Sequence, residues 1–438
     1  MVDETGRRRA DVLVVDGAVE ALGEALDPPA GARVLDAGGC LVAPGLVDLH
    51  AHLRQPGHEE AETIETGARA AALGGYTAVV AMPNTEPPID CAAVVREVQE
   101  LAAPTPCRVH PAGAITARRA GQRLAPMAEM AALGVRLFTD DGAGVQDGRL
   151  MRRALEYASA LGVTLAQHCE DDDLAAGGHL HEGEWSARLG VPGIPAVAEE
   201  VMVARDLALA RLTGAPVHFL HLSTAGSLAQ VRQAKAEGLA VTAEAAPHHF
   251  TLTAAATAGY DPVFKVNPPL RTEADLAAVR AGLADGTLDA IATDHAPHPA
   301  EAKEAPFDEA PPGMLGLETA LALGLTELVG PVAGDGDEPA APGDGAREGG
   351  LDVASLLALL SWQPARIAGL AGEHGGPIAP GRPAHLCVVD PSATWVVEAE
   401  RLASRSRNCP YVGRTLTGRV RHTLLEGEPV VVDGEAQR

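Results

Sequence analysis

Residues 41–57 read LVAPGLVDLHAHLRQPG. An apolar run of strand type ends in His50-Ala51-His52, and Arg54 follows. Side chains alternate along an extended chain, so His50 and His52 leave on the same side and can chelate one divalent ion. A single H-x-H carries little weight, because paired surface histidines are common. What gives this one weight is the recurrence of its pattern: an apolar run closing on ligand-type residues appears again and again downstream.

Further β-type runs occupy 76–81, 108–112, 135–139, 163–166, 217–220, 239–244 and 290–293. Ala-rich helical stretches lie between them, such as those at 60–73, 92–101, 150–160, 196–212, 225–236 and 273–283. Eight strand–helix units predict an α/β fold of the (β/α)8, TIM-barrel type. An open doubly wound sheet is the alternative, but no G-x-G-x-x-G follows the early strands. The runs end in Asn84, Asp140-Asp141, His168, His221, His248-His249 and Asp294-His295. In a barrel these C-terminal strand ends surround one mouth, where such enzymes keep their active site.

His50, His52, Asp141, His168, His221 and Asp294 form a nitrogen-and-carboxylate set suited to Zn2+ or another first-row divalent ion. Six ligands exceed the needs of one tetrahedral zinc, so one or two ions per subunit are expected. A carbamylated lysine often bridges two metals on this scaffold, yet the first lysine here is Lys235. A carboxylate must therefore bridge from the fourth run. Asp140 and Asp141 point opposite ways, and alternation alone does not choose between them.

The flanks differ from the middle. Short strands with Asp-Gly and Pro-Pro turns mark 9–40, and similar signals mark 383–438. We therefore divide the chain into residues 1–44 and 377–438, which together build a small β-sandwich domain, and 45–376, the barrel. Residues 330–350 are rich in Gly, Pro and acidic groups and read as a surface insertion.

The chain has 438 residues, 46% of them hydrophobic, with 34 Lys+Arg against 59 Asp+Glu and a formal charge of −25. That balance opposes nucleic-acid and anionic-membrane partners. No apolar run is long enough to span a bilayer, and the N-terminus does not resemble a signal peptide. Six scattered cysteines without a C-x-x-C pair suit a reducing cytoplasmic setting. His179 and His181 lie in a Gly-rich loop and read as packing residues. His218 reads as buried and hydrogen-bonded, and His248 and His249 as supports. His58, His110, His374, His385 and His422 have no constellation around them and read as structural or solvated.

The strings HAHLRQPG, MPNTEP, FTDDG, HCED, APHH, NPPLR and ATDHAPH, with NCPYVG and GRV in the tail, closely resemble the dihydroorotases of the amidohydrolase superfamily, bacterial class I type. The resemblance implies a metal-bearing barrel with a small β domain from both chain ends. It assigns His50 and His52 to a first metal, His168 and His221 to a second, Asp141 to the bridge, and Asp294 to catalysis and metal contact. Arg54, Asn84 and His298 would hold a substrate carboxylate. Asn267, with backbone groups at Pro312 and Gly313, would hold a pyrimidine ring.

The implied activity is the zinc-dependent, reversible cyclisation of N-carbamoyl-L-aspartate to (S)-dihydroorotate in pyrimidine (UMP) biosynthesis. A homo-oligomer is expected, with aspartate transcarbamoylase as a candidate partner. The alternatives are a hydantoinase- or allantoinase-like cyclic amidohydrolase, which would generally carry a lysine in the fourth-strand motif, and a non-catalytic scaffold. The stretch 299–312, placed like a lid, has a sequence of its own.

Overall fold

The computed structural model describes residues 1–329 and 350–438, so the insertion expected at 330–350 lies, but for Gly350, outside the described residues. Strands β1 (Leu46–Ala51), β2 (Tyr76–Ala81) and β3 (Arg108–Pro111) form one parallel ladder. Strands β4 (Leu137–Phe138), β5 (Thr164–Gln167), β6 (Val217–Phe219), β7 (Val241–Ala245) and β8 (Ala290–Ile291) form another. Two single parallel bridges join the ladders. Gly113 meets Phe138 at one seam and Ala51 meets His295 at the other, so the eight strands close into a barrel.

Every residue of β1 and β2 is buried, which is why these strands read as continuous apolar runs rather than alternating ones. Leu49, Val80, Ala112, Leu137, Ala166 and Ala290 share one interior cluster and plug the barrel. Helices follow the strands on the outside, and several carry their stop and start signals in sequence. Thr63 and Thr66 form a reciprocal capping box at the start of Ile64–Leu73. Asp147 caps Gly148–Leu161 by accepting from the Arg149 and Leu150 amides, and Gly162 ends that helix in the left-handed region.

The run at 41–49 is not one strand. Leu41–Pro44 pairs antiparallel with Leu386–Val396, while Leu46–Ala51 enters the barrel. Gly45 is the hinge, and a Cβ there would lie 2.2 Å from Thr77 Oγ1, so no side chain fits. The sheet that begins at Leu41–Pro44 continues through Thr415–Leu425 and Glu428–Val432. The hairpin Asp11–Val15/Ala18–Gly23 packs beside it, with Val19, Ile378, Leu386 and Leu424 in a common core. Both chain ends thus build one small β unit against the barrel. All six cysteines are free.

Candidate active site

The ligand-type residues converge where the strands end. His50 lies on β1 and His52 just past it, Asp141 follows β4, His168 follows β5, His221 follows β6 and Asp294 follows β8. All six are buried. Asp141 Oδ2 is 3.4 Å from His50 Nε2 and 3.5 Å from His52 Nε2. Its other oxygen, Oδ1, is 3.5 Å from His168 Nδ1 and 3.4 Å from His221 Nε2. One carboxylate therefore faces two histidine pairs, one with each oxygen. Asp294 Oδ1 adds to the first pair, 3.2 Å from His52 Nε2 and 3.6 Å from His50 Nε2.

These residues fit a divalent pair. Donors about 2.1 Å from a tetrahedral zinc stand about 3.4 Å apart, which is the spacing seen. His50 Nε2 and Asp141 Oδ1 are buried without a hydrogen-bond partner among the described residues, though both face the centre. Buried polar atoms are normally satisfied, so orphans converging on one point mark a place for a cation. The two groups that could each hold an ion are His50/His52/Asp141 and Asp141/His168/His221. The electrostatics agree. Burial alone would raise the Asp141 pKa, but His50, His168 and His221 hold it well below the usual carboxylate range. Burial would depress His50, yet Asp141 and Glu244 keep it well above the usual imidazole value.

Asp140 faces elsewhere. It accepts from the Thr116 amide at 3.0 Å and from the Thr116 hydroxyl, and Arg119 donates to the Asp141 carbonyl. Asp140 is a buttress for the turn, and Asp141 is the residue inside it.

Sequence reasoning missed the supports beneath the ligands. His50 Nδ1 donates to Glu244 Oε1 on β7 at 3.1 Å, and His218 Nε2 donates to Glu244 Oε2 at 3.0 Å. Glu244 is fully buried, yet these two bonds draw its pKa down to about 2. Such a carboxylate fixes the ring orientation of a metal-ligating histidine and raises its basicity. Asp48 accepts from the Thr293 amide at 2.9 Å and its hydroxyl at 2.6 Å, tying the exit of β8 to β1. The available signal was an acidic residue inside each of two apolar runs. His218 is buried and bonded, as expected. Arg54, His221 and Asp294 take positive φ values of 62°, 30° and 46°, costly for non-glycine residues and typical of functional sites.

At the mouth the expected substrate contacts lie where some are already engaged. Asn84 Oδ1 accepts from His52 Nδ1 at 2.9 Å, so Asn84 orients a ligand and keeps only its amide nitrogen for anything else. Arg54 Nε donates to Pro297 O at 3.0 Å. His298 Nε2 is 2.8 Å from Pro312 O and 3.3 Å from Arg54 Nη2. The shorter contact needs the proton on Nε2, which leaves Arg54 Nη2 unspent. Asn267 Nδ2 donates to Glu170 at 3.0 Å, and its buried Oδ1 has no partner among the described residues.

The backbone groups expected to grip a ring at Pro312-Gly313 are already engaged within the protein: Pro312 O meets His298 Nε2 at 2.8 Å and Gly313 O accepts from Asn408 Nδ2 at 3.1 Å. The Gly313 amide already donates to Lys265 O at 2.9 Å. Gly313 has φ 148°, and a Cβ there would come within 2.8 Å of both Ala296 O and His298 Nε2.

His248 Nε2 stands 4.0 Å from Asp294 Oδ2, and His249 donates to Pro268 O. His179 and His181 bond Lys265 and Arg271. Contrary to expectation, three of the isolated histidines do form a constellation. His374 stacks on His385 with centroids 4.2 Å apart, and His110 meets His374 edge-on at 5.8 Å. Residues 110, 374 and 385 meet only because the tail returns to the barrel.

A family model described as Dihydro-orotase-like matches residues 39–227. The chain is 49% identical to a dihydroorotase of Pelotomaculum thermopropionicum over 97% of its own length and 94% of that relative. It is 48% identical to a dihydroorotase of Streptomyces coelicolor, covering 98% of the chain and 97% of the relative. Among solved structures it superposes on the L-hydantoinase (dihydropyrimidinase) of Arthrobacter aurescens with a TM-score of 0.86 at 26% identity, over 100% of this chain and 95% of that one.

Proposed function

Because this chain belongs to the dihydroorotase family, we infer that its buried histidine–aspartate centre is where a dihydropyrimidine ring amide is opened and closed. The reaction is the reversible cyclisation of N-carbamoyl-L-aspartate to (S)-dihydroorotate in pyrimidine biosynthesis. The observation that carries this assignment of the site is Asp141, with one carboxylate oxygen toward each histidine pair. His50, His52, Asp141 and Asp294 would hold one divalent ion, and His168, His221 and Asp141 a second; zinc is our choice for both. Bound there, the ions supply Lewis-acid polarisation of a carbonyl and make water nucleophilic near neutral pH.

The chain's own groups do the rest. In the hydrolytic direction water adds to the ring amide carbon and the C–N bond breaks. Asp294 takes the water proton and passes it to the departing nitrogen. In the biosynthetic direction it removes a proton from the ureido nitrogen as the ring closes and water leaves. Arg54 presents its unspent guanidinium edge to the ring carboxylate, a planar bidentate match. Asn84 and His298 complete that grip, and the free carbonyl of Asn267 accepts from a ring N–H. Glu244 holds His50 in register, and Asp48 holds the backbone leading to Asp294.

A homo-oligomer, a cytoplasmic location and an association with aspartate transcarbamoylase belong to the same proposal. Among the described residues, no helix is long and apolar enough to cross a membrane. The test is turnover of dihydroorotate, hydantoin and allantoin by the purified protein, with metal content measured on the same sample. Dihydroorotate turnover that follows metal content is expected. Preference for hydantoin, or full activity in metal-free protein, would overturn the assignment.

A further inference from the structure

A segment of the tail reaches the catalytic face of the barrel. Between the small β unit's strands, residues 403–409 cross over to the loops that follow β1 and β8. The Ala403 amide donates to Glu318, and the Ser404 hydroxyl and Arg405 amide donate to Glu62. The Ser406 hydroxyl donates to Ala61 O at 2.7 Å. Asn408, near the end of this stretch, is only 3% exposed.

The Asn408 side chain spends every hydrogen-bonding edge on the substrate mouth. Its Nδ2 donates to Ala296 O at 3.0 Å and to Gly313 O at 3.1 Å, and its Oδ1 accepts from the His298 amide at 3.2 Å. Its backbone carbonyl accepts from the Leu315 amide at 3.1 Å. One primary amide therefore links two stretches, 296–298 and 313–315, that are not covalently adjacent. The first begins two residues after Asp294, and Pro297 O in it receives Arg54 Nε. The second begins beside Pro312, whose carbonyl receives the His298 ring. A buried amide with two donors and one acceptor used is rigid, because losing either side leaves unpaired polar groups.

We propose that Asn408 is a positioning residue for the substrate carboxylate: it fixes the spacing of the 296–298 and 313–315 backbones, and so sets where Arg54 and His298 stand. Among the described residues, the Asn408 side chain bonds only backbone groups of residues 296, 298 and 313. It acts on the grip rather than on the proton shuttle, so its loss shows in KM before it shows in kcat. The inference rests on the dihydroorotate reading given above.

The experiment compares wild type, Asn408→Asp, Asn408→Ala and Ser406→Ala, with metal content and thermal midpoint recorded for each. Asn408→Asp is nearly isosteric and keeps the acceptor for His298, but it turns both donors into an oxygen facing two carbonyls. The expected result is a loss of about 10–100-fold in kcat/KM for dihydroorotate, carried mainly by KM, at unchanged metal content. Ser406→Ala breaks a neighbouring tie of the same segment and should leave KM within about twofold of wild type.

If Asn408→Ala does not fold, Asn408→Asp and a double variant with Arg54→Met decide the matter. Two residues acting through one carboxylate are non-additive, so Asn408→Asp should add little once Arg54 is gone. Fully additive losses would overturn the inference. So would a KM within twofold of wild type, or metal and kcat falling together at constant KM. Turnover by wild type with silent Asn408 effects removes this inference alone, whereas a wild type inert toward dihydroorotate removes the functional reading beneath it.

Discussion

The molecule holds two histidine clusters, and they are opposites. At the C-terminal strand ends, His50, His52, His168 and His221 surround Asp141 and Asp294, and four ring nitrogens stand within 3.6 Å of a carboxylate oxygen. Near the starts of β2 and β3, His374 bonds Thr77 and packs with His110 and His385, beside a groove of about 530 Å³. Among the described residues, no carboxylate bonds those rings. Burial and their neighbours depress all three, His110 and His385 to about 4 and His374 well below its ordinary value. Burial is common to both clusters. The carboxylates are what turn one into a place for cations and leave the other as neutral packing.

The comparison breaks first at Asp141. Asp141→Ala should lose bound metal and lower activity by on the order of 10³-fold or more, since both histidine pairs face that carboxylate and both proposed ions would depend on it. Asp140→Ala should keep measurable metal and instead cost about 1–3 kcal/mol of stability, because Thr116 loses its partner. Elemental analysis beside activity separates the two, and the reverse pattern would move the bridge to Asp140.

Next comes Asp294→Asn, which keeps the shape and removes the proton shuttle. Proton transfer by a positioned group is worth about 10²–10⁴-fold, and kcat should fall by that order. A variant within a few-fold of wild type would rule Asp294 out as the shuttle.

Arg54 is third. Arg54→Met should cost on the order of 10–100-fold in kcat/KM for dihydroorotate, and Arg54→Lys should recover part of it, keeping the charge without the fork. Any activity on a carboxylate-free ring should fall less. Equal losses on both rings would show that Arg54 holds the site together instead of reading the carboxylate.

The smallest effect tests the other cluster. His110 Nε2 is buried without a partner among the described residues, so His110→Phe gives up no bond there. Its activity at neutral pH should stay within about twofold of wild type. The folded rings at 110 and 385 take up protons near pH 4, and the unfolded chain does so near 6.5. Stability from keeping them neutral is therefore present in full above about pH 6.5 and is lost as pH falls toward 4. His110→Phe should flatten that loss, by at most about 3 kcal/mol for a ring shifted this far. Denaturant melts between pH 4 and 7 measure it. Parallel curves for variant and wild type would sink the account of this cluster.

Much of the architecture could be read along the chain. Strand runs with ligands at their C-terminal ends need only local alternation and a barrel's polarity, and β2 and the helix Ala225–Ala236 fall where the residues put them. That the apolar run at 41–49 breaks into two strands at Gly45 was not legible in its pattern, even with the domain division placed at 44/45, because an apolar run looks the same whichever sheet receives it. What crowds that glycine is Thr77, a contact between neighbouring strands.

By itself, then, the sequence determined which residue types gather at the mouth, and that the fourth run offers carboxylates and no lysine. Only closure of the barrel decided that Asp141 points inward and Asp140 toward Thr116. Only closure brought Glu244 under His50 across 194 positions of chain. The return of the tail placed Asn408 between two loops and built the second histidine cluster from residues 110, 374 and 385. The physical reason is that alternation and periodicity report only which way a side chain leaves its own strand. The partner it meets there comes from a segment whose position is set by the rest of the fold.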